Sequence, residues 1–213
     1  MKSSGIRKIM TLSEGVEGCI HLEVGQPDAR TPEHILDAAA QAAHDGFTRY
    51  TNSAGIKDLR EAIAEKVTRK NGFHAEPYNI VVSPGAVCSI FTSLLTLVEP
   101  GDEVLLPNPG WPNYTMQMAC IGATPVYYPL DPSCGFQIDF DELKKLVTPK
   151  TKLLLINTPG NPTGAVFSSD TIKRIVAFAA VHDLYVISMK STKISFTTVF
   201  IHPLVLVTTM AVW

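Results

Sequence analysis

Leu153-Leu154-Leu155-Ile156, followed at once by Asn157-Thr158-Pro159-Gly160-Asn161-Pro162-Thr163-Gly164, is the stretch on which the fold of this chain turns. Four apolar residues bounded by turn formers have the length and continuity of a strand buried on both faces of a parallel sheet. The loop leaves the C-terminal end of that strand, where open α/β sheets bind ligands, and an Asn amide there can donate into the crevice. Asn161-Pro162 is a candidate cis peptide. The same residues also serve an ordinary tight loop, so taken alone the segment supports both readings.

Outward from it, further short apolar runs lie at 80–82, 104–106, 125–128 and 185–187. Helical patterns occupy 33–45, 55–71, 86–98, 111–120, 140–146 and 169–182; in the second of these, Leu59, Ile63 and Val67 share one face. Strands alternating with helices predict an α/β fold, a mainly parallel sheet sandwiched by helices. No strand is followed by G-x-G-x-x-G, so a nicotinamide-binding Rossmann unit is not indicated.

Composition narrows the partners. The chain has 213 residues, 46% hydrophobic and 18% charged, with a formal net charge of −2. That balance gives no reason to expect nucleic acid or an anionic membrane, and the basic stretches at 66–70 and 144–145 read as solvated helix faces. Cys19, Cys88, Cys120 and Cys134 have neither paired nor metal-ligand spacing, so they read as reduced thiols of a cytoplasmic protein that binds no metal. The opening MKSSGIRKIM lacks the apolar run of a secretory signal. Residues 194–213 carry no Asp, Glu, Lys or Arg, and about twenty apolar residues span a bilayer. His202, Pro203 and several hydroxyls stand against an anchor, and no membrane partner is expected.

Other motifs stand in a telling order: Gly25-Gln26-Pro27-Asp28; Arg49-Tyr50-Thr51 with Gly55 and Leu59-Arg60-Glu61-Ala62-Ile63; Ser83-Pro84-Gly85-Ala86; Pro100-Gly101-Asp102-Glu103-Val104; Pro109-Gly110-Trp111-Pro112-Asn113-Tyr114. With NTPGNPTG, the series resembles the pyridoxal-phosphate-dependent aminotransferases of classes I and II, the fold-type-I, aspartate aminotransferase superfamily, over its N-terminal half. The resemblance implies an N-terminal arm and the start of a small domain at 1–40, an incomplete cofactor-binding large domain at 41–188, and an atypical tail at 189–213. It implies pyridoxal phosphate as cofactor, with its phosphate at Gly85, Ala86 and Val87, its ring stacked on Trp111 and its phenolic oxygen bonded by Asn161. A strand-to-helix junction suits the phosphate, because it offers free N–H groups and a positive dipole end, and a flat indole suits the ring. By the same resemblance Tyr50 reaches the partner's cofactor phosphate in a homodimer, and Gly25 lies near the substrate carboxylate. The implied reaction moves an amino group between an α-amino acid and a 2-oxo acid. A carbon–sulfur lyase or decarboxylating synthase of the same fold shares these front-half motifs.

The resemblance stops after Ser188. The family continues D-E-x-Y, where Asp pairs with the pyridine nitrogen and Tyr contacts the phenolic oxygen; here stand Met189-Lys190-Ser191-Thr192. No residue matches the Schiff-base lysine or the arginine that grips the substrate carboxylate, so no catalytic residue is assigned. Met is ATG and Lys is AAA or AAG. Read one base earlier, these codons give xAT-GAA, Asp-Glu when x is G, and Ser191-Thr192 as TCN-ACN continue as Ile or Val, then a codon open to Tyr. Residues 189–213 are thus expected to be an out-of-frame translation. The expected consequence is an inactive chain whose sheet, short of its late strands, exposes an apolar edge. A non-catalytic family remnant and a membrane-tethered variant are the competing readings.

Overall fold

The computed structural model describes residues 5–23, 25, 29–71, 74–190, 200–202 and 205–209. The chain divides into two compact units with their boundary between Tyr50 and Thr51.

The first unit contains α1 (Gly5–Ser13) and α2 (Glu33–His44). Helix α2 starts directly after Pro32, where the sequence places it. Helix α1 is an element the sequence reading lacked; Ile6, Ile9 and Met10 recur on one of its faces. Neither helix buries a residue.

In the second unit, α3 (Lys57–Asn71) turns Ile63, Ala64 and Val67 onto Ala75 and Ile80, the stripe expected from its spacing. The expected strand at 80–82 does not form. Ile80 has extended backbone, φ −108° and ψ 127°, but belongs to no ladder. Arg60 Nε donates to its carbonyl at 3.1 Å, and Val82 N donates to Ala54 O at 2.9 Å. A guanidinium and a loop carbonyl thus take up groups that a neighbouring strand would have used.

The sheet contains β1 (Glu103–Asn108), β2 (Thr124–Asp131), β3 (Gln137–Ile138), β4 (Thr151–Asn157), β5 (Tyr185–Lys190), β6 (Phe200–His202) and β7 (Val205–Thr209). Their order is β3-β2-β1-β4-β5-β7-β6. The pairs β1–β2, β1–β4, β4–β5 and β5–β7 are parallel; the outer pairs β2–β3 and β6–β7 are antiparallel. The expectation of an open apolar edge at β5 is overturned, because β7 pairs with β5 in register from Val186↔Val205 to Lys190↔Thr209. The text Val-Leu-Val-Thr-Thr is mostly β-branched and suits a strand whatever its origin.

Alternating side chains divide the core into two layers. Val104, Leu106, Leu153, Leu155, Ile187 and Met189 face α4 (Ala86–Leu97) and α5 (Pro112–Ile121). Leu105, Leu154, Ile156 and Val186 face α6 (Phe140–Lys145) and α7 (Ser169–Val181). The expected sheet, mainly parallel and covered by helices on both faces, is therefore present. The helix starts are capped where the sequence supplies oxygen acceptors: Ser168 accepts from Thr171 N at 3.0 Å, and Asp139 from Asp141 N at 2.9 Å. Such a cap contributes about 1 kcal/mol.

Candidate active site

Strand β1 connects through α5 to β2 on one side, while β4 connects through α7 to β5 on the other, and the two helices cover opposite faces. Neighbouring parallel strands whose connections diverge leave a crevice at their C-terminal ends. The loop after β1 delivers Trp111 to that edge, and the loop after β4 delivers Asn161.

The β4 loop is held from below. Asn157 is buried, 6% exposed; its Nδ2 donates to Met189 O at 3.0 Å, and its Oδ1 accepts from Asn161 N at 2.7 Å. The Asn157 amide is thus engaged with β5, and Asn157 presents Asn161, four residues on. Thr158 reinforces this: its N–H donates to Met189 O at 3.0 Å and its Oγ1 accepts from Phe167 N at 2.9 Å. Asn161-Pro162 is cis, as expected, and so are Thr158-Pro159 and Asn108-Pro109. Asn161 itself is exposed at the edge.

After β1 the chain turns tightly enough that a Cβ on Gly110 would collide with the carbonyl oxygen of Pro107. Trp111 then takes the N-cap position of α5, half-buried against the first core layer. Its ring stands edge-on to Tyr114, with centroids 5.5 Å apart at 88°.

Helix α4 begins at Gly85, whose φ of 90° places it where other residues are strained, and which gives the helix no side-chain cap. The first helical bond runs from Ser89 N to Gly85 O at 3.2 Å. The N–H groups of Ala86, Val87 and Cys88 therefore have no acceptor within the helix. A Cβ on Gly85 would meet nothing within 4 Å, so the space before this helix end is open. Ala86 is buried, and Val87 is 43% exposed. Ser89 and Gln117 escaped the sequence reading. Ser83, already part of the motif, shares a hydroxyl–hydroxyl bond with Ser89 beside the turn, and Gln117 of α5 donates through Nε2 to Val87 O at 3.0 Å.

Met189 lies opposite Asn157 in register, 1% exposed, and its Sδ accepts from Tyr114 Oη at 2.9 Å. A thioether therefore occupies the place where the resemblance calls for a carboxylate. Burial raises the Tyr114 phenol above its ordinary range. It does the same to Tyr128, whose hydroxyl donates to Leu155 O at 2.9 Å and which is raised further by its neighbour Tyr114. Both phenols stay protonated in the folded chain after they ionise in the unfolded one. Their stabilisation is present below about pH 10, the ordinary tyrosine value, and is lost as pH rises beyond it. Denaturant midpoints taken from pH 9 to 12 are expected to fall steeply above 10. Tyr128→Phe, lacking one of the two groups, should show a shallower fall.

Gly25 and Tyr50 belong to the first unit; both are exposed, Tyr50 fully. All four cysteines are free. Among the described residues no group of three His, Cys, Asp or Glu could hold a metal, and no helix is long and apolar enough to cross a membrane. Most of 194–213 lies outside the described residues.

A family model described as aminotransferase class I and II matches residues 17–188, ending at the residue where the motif series breaks. The chain is 42% identical over 186 residues to aromatic-amino-acid aminotransferase 2 of Thermococcus litoralis, covering 87% of this chain and 48% of that protein. It is 41% identical to the aspartate aminotransferase of Pyrococcus abyssi, again over 87% of this chain and 48% of the other. The solved aspartate aminotransferase of Thermus thermophilus with maleate superposes with a TM-score of 0.84 at 35% identity, over 89% of this chain and 51% of that one. The aromatic aminotransferase of Pyrococcus horikoshii does so with 0.75 at 41%, over 78% and 45%. The chain spans about half the length of the curated relatives it matches. On the family match, these identities and the shared sheet, the chain belongs to the class I and II aminotransferases, pyridoxal-phosphate-dependent proteins of fold type I.

Proposed function

We propose that the second unit holds the phosphate and ring of pyridoxal phosphate at the β1/β4 switch point, for amino-group transfer between an α-amino acid and a 2-oxo acid. The observation that carries this reading is the uncapped start of α4. Three free N–H groups at a helix end, with Gly85 leaving open space before them, suit a phosphate dianion. Trp111 offers an aromatic face, and Asn161, anchored through Asn157, offers a side-chain amide to the phenolic oxygen. When bound, the cofactor supplies an electron sink for negative charge at the substrate Cα.

The fit is partial. A buried thioether facing Tyr114 cannot hold a proton on a pyridine nitrogen as a carboxylate does, and no residue of this sequence matches the Schiff-base lysine. We therefore assign cofactor holding to these residues, and derive no catalytic step. Tyr50 is assigned to a second copy's phosphate in a homodimer and Gly25 to the substrate carboxylate. The domain limits 1–40, 41–188 and 189–213, the frame change at Met189 and a cytoplasmic location belong to the same proposal. Sequencing the coding DNA around codon 188 tests the frame change, since a downstream aminotransferase frame offset by one base is expected.

Pyridoxamine 5′-phosphate is the appropriate probe for binding, because it has no aldehyde to react with surface lysines. It is expected to quench Trp111 fluorescence saturably. Trp111→Phe, which keeps only Trp213 as emitter, should lose that quenching. Quenching that is absent, or undiminished in the variant, contradicts the assignment.

A further inference from the structure

Gln117 is 6% exposed on α5, and its amide is used on one side only. Nε2 donates to Val87 O at 3.0 Å, while Oε1 is buried with no hydrogen-bond partner. The carbonyl of Val87 fixes which way the amide points, since the reversed amide would set two oxygens against each other. An orphaned buried acceptor is costly, so packing alone would favour an apolar residue of similar shape at this position. The bond that Gln117 does make therefore marks its role.

Val87 C=O and Cys88 N–H belong to one rigid planar peptide unit. A donor on that carbonyl holds the plane in place and polarises the N–H at its other edge, strengthening it as a donor by about 10–30%. Cys88 N–H is one of the three groups at the start of α4 without an acceptor in the helix. We propose that Gln117 is a positioning residue for anion binding: it orients and polarises the Val87–Cys88 peptide from behind, so that Cys88 N–H points at the anion. This rests on the assignment of α4's start as the phosphate seat. Gln117 reaches that seat through Val87 and touches no ligand itself.

The test compares pyridoxamine 5′-phosphate with pyridoxamine by calorimetry on the full chain, as wild type and as Gln117→Met, which keeps shape and removes the donor. Wild type is expected to prefer the phosphorylated ligand, and Gln117→Met to lose about threefold or more of that preference while binding pyridoxamine unchanged. In the ligand-free state the Cys88 amide 15N resonance should move upfield in the variant, further than the amides of residues 92–97. A preference kept in full by Gln117→Met overturns the role of Gln117 and leaves the phosphate seat standing. Equal weakening of both ligands assigns Gln117 to packing and likewise overturns it. A wild type that does not distinguish the ligands removes the phosphate seat, and the proposal with it. Should Gln117→Met fail to fold, Gln117→Leu and the Cys88 resonance of wild type on titration with inorganic phosphate supply the same decision. An unmoved Cys88 resonance at saturating phosphate counts against it.

Discussion

Met189→Asp is expected to destabilise the chain by about 3–5 kcal/mol at neutral pH, the cost of a buried charge without a partner. The site is 1% exposed, and Asn157 Nδ2 is already engaged with the backbone carbonyl of residue 189. Only Tyr114 Oη stands ready to donate. The introduced carboxyl would have its pKa raised by burial. Its penalty is then small at low pH, where both folded and unfolded chains are protonated, and grows as pH rises above about 4, the ordinary Asp value. The gap in thermal midpoint between wild type and variant should widen from pH 4 to pH 7. Saturating pyridoxamine 5′-phosphate should narrow it, because a pyridinium nitrogen at this edge supplies the missing partner. A gap that does not change with pH places position 189 in contact with water and contradicts the site described above.

Leu155→Ala should cost as much, by a different route. Leu155 is fully buried in the layer that also holds Val104, Leu153, Ile187, Ile90 and Met118. Strands β1 and β5 flank its own strand, and α4 and α5 cover it, so little can collapse into the space left behind. The lost transfer and cavity terms together amount to about 2–5 kcal/mol. Against the ~5–15 kcal/mol typical of a whole domain, that is enough to shift the denaturant midpoint far to lower concentration. Leu36→Ala on exposed α2 provides the contrast and should change stability by no more than about 0.5 kcal/mol. Equal losses for the two substitutions would contradict the contrast between a buried layer and a helix that buries no residue.

The elements most legible in the sequence were those whose pattern and partners are local. The apolar run at 153–156 and the helix from Ala86 could be placed because continuous hydrophobicity and a glycine stop describe them fully. The strand expected at 80–82 failed because its backbone groups go to Arg60, distant in sequence, and to Ala54, neither of which a pattern of apolar residues reveals. The outer β6–β7 pair was hidden by the uncharged text around it, which read as an out-of-frame tail. In the site, Gly85, Trp111 and Asn161 were reached through the resemblance to the family. Their supports were not: Asn157 stood only as one member of the loop motif, and Gln117, within the helical pattern at 111–120, carried no motif. Such contacts join residues some thirty positions apart, and only the folded sheet brings them together.

The most direct test of the account follows the phosphorus of pyridoxamine 5′-phosphate by 31P NMR with the full chain, from pH 8 to pH 5.5. Free phosphate monoester takes up its second proton near pH 6. A phosphate seated on the free N–H groups at the start of α4 is held as the dianion, so the bound resonance should keep its dianion position across the whole range. A resonance that titrates like the free ligand, or one the protein does not change at all, would contradict a cofactor phosphate seat at Gly85, Ala86 and Val87.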